Sequence, residues 1–484
     1  MNLDKALAIE QKYHLNDLNI NGYHYWTLFR FPMIQAFHTV VDGTGQEHHI
    51  NPNTFGKKLR ANITQAFNII SPKHYHYKKC DLLFVSSGRR VLTDGKYENT
   101  IMDPLMSEYD DSVLLERSLG GIHLTPTVTK HVIYHDRIGL EAGLSSVFNQ
   151  KIRRSAFLKV KGGINSSLEE PLEEMKQEYG VCVSTDNIIY DMTKFYFQYF
   201  VLRKKYVTLL KRINPKIIFM IISYGPANMV LTEAARESGI PVVELQHGSA
   251  GSEHPGYNYS KGEKIRQFPD YYFTFSEFWK SQARFPIEKD HLVAVGSPFS
   301  ERRAKNTKRT VQESDKKMIL FLSQPNHGES FSRLAAKLQE IIDKDKYKIV
   351  FKMHPNESQG WKERYSELYA SDCEVLDNSN SDLYELMANA AFSIAIGNTT
   401  TLYEALLFDA LAFVYYPESM AEFRALADSG IVGRFDTVEE LYEKIQNYDF
   451  SMKREVSFWE KDSLERMKEA VDRIRQEASD GIYQ

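Results

Sequence analysis

Short apolar runs, each closed by turn residues, recur along this chain between longer amphipathic stretches, and that alternation is the signature of a parallel sheet covered by helices. A strand buried on both faces is apolar throughout, whereas the helix returning the chain to the next parallel strand is apolar on one side only. The pattern comes in two blocks. The first holds DLLFVSS (81–87), SVLLER (112–117), HVIYHD (131–136), KIIFMIISYG (216–225), PVVELQHG (241–248), DYYFTF (270–275) and LVAVGSP (292–298). The second holds KMILFLSQP (317–325), YKIVFKMHP (347–355), CEVLD (373–377), AFSIAIGN (391–398) and LAFVYYP (411–417). Between them SERRAKNTKRTVQESDKK (300–317) is polar, charge-rich and without apolar periodicity, which predicts an interdomain linker.

A chain of 484 residues is too long for one compact core, so two α/β domains fit both the length and the two blocks. Lys+Arg total 60 against Asp+Glu 64, a balance that argues against nucleic acid as a partner. Cys80, Cys182 and Cys373 lack the paired spacing of a zinc site or a disulfide framework and read as reduced thiols. The start, MNLDKALAIEQKYHLN, has no apolar core behind a basic start, and no stretch approaches the ~20 apolar residues of a membrane helix, so a cytoplasmic location is expected.

Four segments fit less simply. GYHYWTLFRFPMIQAF (22–37) is aromatic with partly helical period, and KKLRANITQAFNIISPKHYHYKK (57–79) is basic with interleaved aromatics. A packed helical extension over 1–80 is preferred to a surface that meets anionic lipid or a lipid-linked acceptor. KFYFQYFVLRKKYVTLLKRI (194–213) has core-facing helical spacing, so a buried crossover helix with a solvated basic face is expected. From Thr437 to about Ala478 helical periodicity predicts long helices that close the second domain or cross back over the first.

Candidate chemistry gathers at strand ends. In IAIGNTTTLYEAL a strand runs into Gly397-Asn398, then Thr399, Thr400 and Thr401, with a helix expected from about Leu402. Hydroxyls there can cap the helix, and its unpaired N–H groups suit a phosphate. KIVFKMHP ends in Lys352 and His354, two residues apart and on one face, where open α/β sheets bind ligands. ILFLSQPNHGES offers Ser323, Gln324 and Asn326 in the first strand-to-helix loop of the second block, without the G-x-G-x-x-G of a dinucleotide site. Glu404, on the first turn after the threonines, is placed to accept from ribose hydroxyls. In the first block, VVELQHGSAGSEHPGY opens at Gln246-His247-Gly248, where glycine admits a ligand close to the backbone and histidine suits general-base work near neutral pH. His254 in the same loop is a substitute base, and Arg89 and Arg90 in SSGRR (86–90) are candidates for a phosphate or an acceptor carboxylate. Each of these has an ordinary structural reading as a cap, a core histidine or a solvated arginine; their convergence on strand ends is what favours chemistry.

Q-H-G at 246–248, K-M-H-P at 352–355 and SDLYELMANAAFSIAIGNTTTLYEAL at 381–406 together resemble the GT-B glycosyltransferases of bacterial surface polysaccharide assembly. The likeness is to the branch holding capsule Kdo-transferases, bacterial sialyltransferases and CDP-glycerol polymerases of teichoic acids, and it covers roughly residues 215–420. It implies two facing Rossmann-like domains: an acceptor domain over 81–302 and a nucleotide-donor domain over 303–484 with closing helices. By the same resemblance His354 holds the donor phosphate, Thr399 and Thr400 stand where the family places paired hydroxyls, and His247 matches the histidine proposed as base. A threonine run replaces the more usual Ser-Ser or Ser-Thr, and the acidic motif of some sialyltransferases is not evident. The expected partners are a CMP-, CDP- or UDP-linked sugar donor and a saccharide or lipid-linked saccharide acceptor, with peripheral membrane contact left open, no metal and no cofactor. Alternatives at this level are a CDP-alcohol phosphotransferase, a sugar-nucleotide epimerase and a non-catalytic carbohydrate-binding partner.

Overall fold

The computed structural model describes residues 3–41, 77–88, 90–118, 122–152, 154–310, 312, 316–325, 327–377, 381–396, 400–408, 410–415, 431–448 and 458–481. These form two compact units, the first from residues 2–298 with 459–484, the second from 299–458.

The first unit is built on a parallel sheet of β1 (Leu82–Ser86), β2 (Ser112–Glu116), β3 (Val132–Tyr134), β4 (Ile217–Met220), β5 (Val242–Leu245), β6 (Tyr271–Thr274) and β7 (Leu292–Ala294), in spatial order β3-β2-β1-β4-β5-β6-β7. The chain works outward from β1 to one edge, then crosses back to β4 on its other side. This is the doubly wound Rossmann order with one added strand, and the reversal between β1 and β4 is its topological switch point. Every strand predicted in the first block is present.

Helices α1 (Leu3–Lys12) and α2 (Tyr25–Val41) precede the sheet. α3 (Asp136–Ile152), α4 (Arg154–Tyr179) and α5 (Asp186–Ile213) lie between β3 and β4, and α6 (Pro226–Glu237) follows β4. α5 carries the segment expected as a crossover helix: Tyr199, Leu202, Tyr206, Leu209 and Leu210 are buried while Lys204 is exposed. The aromatic segment 22–37 is packed, with Tyr23, Trp26, Leu28, Met33 and Phe37 all fully buried. Of the basic stretch 57–79, residues 57–76 lie outside the described residues.

The last helix, α10 (Ser463–Ser479), belongs to this first unit, which corrects the expected boundary of 303–484 for the second domain. Its apolar stripe, Met467, Ala470, Val471 and Ile474, completes the core formed by Leu82, Phe84, Leu114, Phe219, Val243 and Phe273 from the sheet. Helical periodicity alone carries no address, so the sequence left both destinations open. The return passes Gly296, whose φ is +86° and where a Cβ would overlap Ser463 and the carbonyl of Glu460. Trp459 packs on Phe275 with ring centroids 4.6 Å apart, and the Glu460 amide donates to the Phe275 carbonyl at 2.8 Å.

The second unit repeats the plan. Its sheet runs β10-β9-β8-β11-β12-β13, from β8 (Lys317–Leu322), β9 (Tyr347–Lys352), β10 (Glu374–Leu376), β11 (Ala390–Ile396), β12 (Leu411–Tyr415) and β13 (Gly433–Phe435), all parallel. The switch point lies between β8 and β11. Alternate residues of β8 serve both faces: Ile319 and Phe321 pack with Phe331, Leu334 and Leu338 of α7 (Gly328–Ile341), while Met318, Leu320 and Leu322 pack with Met387 and Ala405. Those two belong to α8 (Leu383–Asn389) and α9 (Thr400–Ala405). β13 was not predicted, because three residues of Gly-Arg-Phe show no alternation; Gly433 is needed there since a Cβ would overlap the Phe413 ring. The expected linker begins as helix over Pro298–Asn306, so its order starts earlier than its polarity suggests.

Candidate functional site

The carboxyl edge of the second sheet is where its candidate residues meet. Leu322 of β8 pairs with Lys352 of β9 on one side and with Ala395 of β11 on the other, so the three strands end in step. Ser323 and Gln324 leave β8, Lys352 and His354 leave β9, and the chain from β11 enters α9 at Thr400 and Thr401. With strands ~4.8 Å apart, the exits of β9 and β11 lie ~10 Å from one another across β8. They flank the switch point, where open α/β sheets bind ligands. Thr399 and Asn326 lie outside the described residues.

His354 is held rather than loose. It caps the turn Pro355–Glu357: its Nδ1 accepts from the Asn356 amide at 3.2 Å, and its own amide donates to Glu357 Oε2 at 2.9 Å. An Nδ1 that accepts leaves the ring proton on Nε2, the nitrogen able to donate to an anion. Lys352 is half-buried, and burial lowers its pKa while Asp377 pulls the other way.

Glu357, which sequence reasoning missed, organises this corner. It is 2% exposed and also accepts from Ser323 Oγ at 2.9 Å and Tyr365 Oη at 2.8 Å through Oε1. Ser323, a nucleotide-binding candidate, is therefore committed to an internal carboxylate in this structure. The signal was present as H-P-N-E, a capping pattern with Glu three residues after the cap.

Two further expectations change. α9 spans six residues and gives way to a tighter turn over Leu406–Phe408, so it offers little macrodipole, and the threonine side chains are what remain of the anion argument. Glu404 accepts from Tyr384 Oη at 2.7 Å, and that hydroxyl lies 3.2 Å from Ser300 Oγ. Its pKa is raised by burial, partly offset by hydrogen bonds from Tyr384 and Ser300, so the expected ribose ligand is engaged inside its own unit.

In the first unit, His247 and Gly248 leave β5, and His247 is half-buried with Nδ1 3.9 Å from Glu244 Oε1. Glu244 is fully buried and accepts from Tyr257 Oη at 2.7 Å and the Ser223 amide at 3.3 Å. Burial pushes its carboxyl up to about 7, against the lowering effect of those hydrogen bonds. The sequence reading passed over this residue because a strand interior reads as apolar. Gly248 accepts from Gln246 Nε2 at 2.9 Å, and Gln246 Oε1 receives the Phe275 amide at 2.8 Å, so the turn is tied to the next strand.

His254 stacks on Tyr257 with centroids 4.5 Å apart and accepts the Gly256 amide at 3.2 Å. Burial, helped by the charge of His247, pushes it down to about 3, which removes it as a base near neutral pH. Arg90 is not a phosphate ligand here: its fully buried side chain bonds Glu116 Oε2 at 2.7 Å, the Tyr97 carbonyl at 3.1 Å and Asp103 Oδ2 at 3.4 Å. Arginines after a strand find carboxylates within the fold when those come from neighbouring strand ends, as Glu116 does. Arg89 lies outside the described residues.

Among the described residues no group of three or more His, Cys, Asp or Glu side chains is arranged to hold a metal, and no helix is long and apolar enough to cross a membrane. Both units are thus parallel α/β assemblies of Rossmann order. No protein-family model matches the chain, and no curated protein matches it. Among solved structures it is similar to UDP-GlcNAc 2-epimerase from Methanocaldococcus jannaschii (TM-score 0.49, 12% identity, 81% of this chain and 99% of that one). It is also similar to UDP-GlcNAc 2-epimerase from Neisseria meningitidis bound to UDP-GlcNAc (0.46, 11%, 82% and 99%) and to the glycotransferase of kitacinnamycin (0.45, 11%, 83% and 96%).

Proposed function

We propose that this protein transfers a sugar from a nucleotide-activated donor to a hydroxyl of a saccharide or glycolipid acceptor of bacterial surface polysaccharide assembly. The observation that supports it best is the meeting of Lys352, His354, Thr400 and Thr401 at one carboxyl edge, around a switch point. In this reading those groups hold the donor phosphate: Nε2–H of His354 and the threonine hydroxyls donate to its oxygens, and Lys352 supplies positive charge. As the bond from the anomeric carbon to the phosphate oxygen breaks, negative charge grows on that oxygen, where preset donors act most strongly. His247 takes the proton of the acceptor hydroxyl as its oxygen bonds to the anomeric carbon, giving inversion. Glu244, when ionised, stabilises the resulting imidazolium. The location that goes with this chemistry is the cytoplasm, at or near the inner face of the membrane.

The test is a panel of CMP-, CDP-, UDP- and GDP-activated sugars, together with CDP-glycerol, with saccharide acceptors, read as nucleotide release. Acceptor-dependent release is expected, and His354→Ala is expected to lower kcat about 100-fold, as for loss of one oxyanion donor, with thermal unfolding lowered only by the loss of one turn cap. Conversion of the donor without release would replace transfer by epimerisation, and release of CMP from CDP-glycerol would replace it by alcohol-phosphate transfer. Full activity in His354→Ala would overturn the phosphate role.

A further inference from the structure

The aromatic segment of α2 and the loop after β4 meet beside His247, and nothing in the proposed chemistry uses them. Ile222 has φ +56°, a left-handed conformation that a β-branched residue adopts only under constraint. The constraint is visible: Asn228 Nδ2 donates to the carbonyls of Ile221 at 3.1 Å and Ile222 at 2.9 Å, while Glu244 receives the Ser223 amide. This turn carries Tyr224 across the backbone of Gly256, where a Cβ would come within 2.7 Å of the ring.

Phe31 of α2 completes the arrangement. Its centroid lies 4.5 Å from that of Tyr224 with the planes 33° apart, so the two rings pack on one another; it lies 5.5 Å from that of His254, and Tyr224 lies 6.3 Å from His247. Phe31 is presented by a buried framework: Arg30, its neighbour, is paired with Glu10 and donates to the carbonyls of Pro255 and of Asn258, the latter at 2.7 Å. Phe31, Tyr224 and His247 are all half-buried, so each keeps some surface in water. A pyranose has a C–H face that prefers an aromatic ring to water and a hydroxyl rim that needs hydrogen-bonding groups. An aromatic wall with a histidine at its edge supplies both, in the pattern of a ligand site that is mostly apolar with few placed polar groups.

We propose that Phe31 and Tyr224 form a packed pair whose exposed ring surface is the wall on which the acceptor sugar stacks, which turns a hydroxyl of its rim toward His247. This deepens the transferase reading and rests on His247 as the acceptor's base.

The experiment is saturation-transfer difference NMR on the full chain, with aromatic protons irradiated and methyl glycosides of glucose, galactose and N-acetylglucosamine as probes. At least one glycoside is expected to gain signal on its C–H face. Phe31→Leu and Tyr224→Leu are each expected to weaken its binding about tenfold, and Tyr224→Phe to retain it. Circular dichroism establishes that each variant is folded; Phe31→Leu carries the test should Tyr224→Leu unfold. Unchanged binding in the folded leucine variants, or no glycoside signal from wild-type protein, overturns the wall. Binding of CDP and UDP, measured by calorimetry in parallel, separates the two ideas: glycoside binding without any nucleotide binding keeps the wall and sinks the transferase, and the converse sinks the wall alone.

Discussion

Glu357 decides the geometry of the H-P turn because three donors converge on one buried carboxylate: the His354 amide, Ser323 and Tyr365. The space around it is closed at Gly328, where a methyl group would overlap both Glu357 Oε1 and Tyr365 Oη. Gly328→Ala is therefore expected to destabilise by about 2 kcal/mol, in the range of overpacked sites, and to weaken nucleotide binding as His354 shifts. Chemical denaturation and calorimetry with UDP or CDP check the two parts. Glu244 sets a second expectation, in pH. Its carboxyl, raised to about 7 from roughly 4.3 in an unfolded chain, favours the protonated fold. The stability it contributes is complete below about pH 4.3 and is withdrawn as pH climbs through about 7, a loss of about 4 kcal/mol. Glu244→Gln cannot ionise, so its urea midpoint should stay flatter than the wild type's from pH 5 to 8. A parallel decline in both proteins would show that the slope belongs to other groups.

At the scale of elements, the strands were legible because buried parallel strands are written as apolar runs between turn signals, and the runs predicted for both sheets are strands in the structure. What the runs hide is polarity inside them: Glu244 sits in β5 among Val242, Val243 and Leu245 and is invisible to a reading that averages the segment. Partners across the chain are hidden for another reason. Arg30 and Glu10 are twenty positions apart and look like surface residues of two helices, yet both are almost wholly buried against the loop that follows His247. The Arg90 reading failed in the same way, since Asp103 and Glu116 are distant in sequence but adjacent at the sheet edge. Breaking one side of the Arg30–Glu10 pair leaves an uncompensated charge, so Glu10→Gln should cost about 3–5 kcal/mol. Replacing both, as Glu10→Gln with Arg30→Met, should cost less than the single change, and a double-mutant cycle by urea denaturation measures the difference.

For the whole molecule, the placement of α10 matters most. Removing residues 459–484 strips Met467, Ala470, Val471 and Ile474 from the core of the first unit and should lower the unfolding temperature of that unit, leaving the second unit's transition in place. Two-transition calorimetry of the truncated chain checks this; a shift confined to the second unit would contradict the assignment. The repeated strand order explains why both units were readable from one rule, whereas the destination of a terminal amphipathic helix depends on which exposed sheet face is complementary to it, information carried by no single segment. The same placement orders events during synthesis. The second unit's segment, 299–458, leaves the ribosome as a continuous piece and can close its core at once, while the first unit waits for its final helix to be translated. The domain that starts first is thus the one that finishes last.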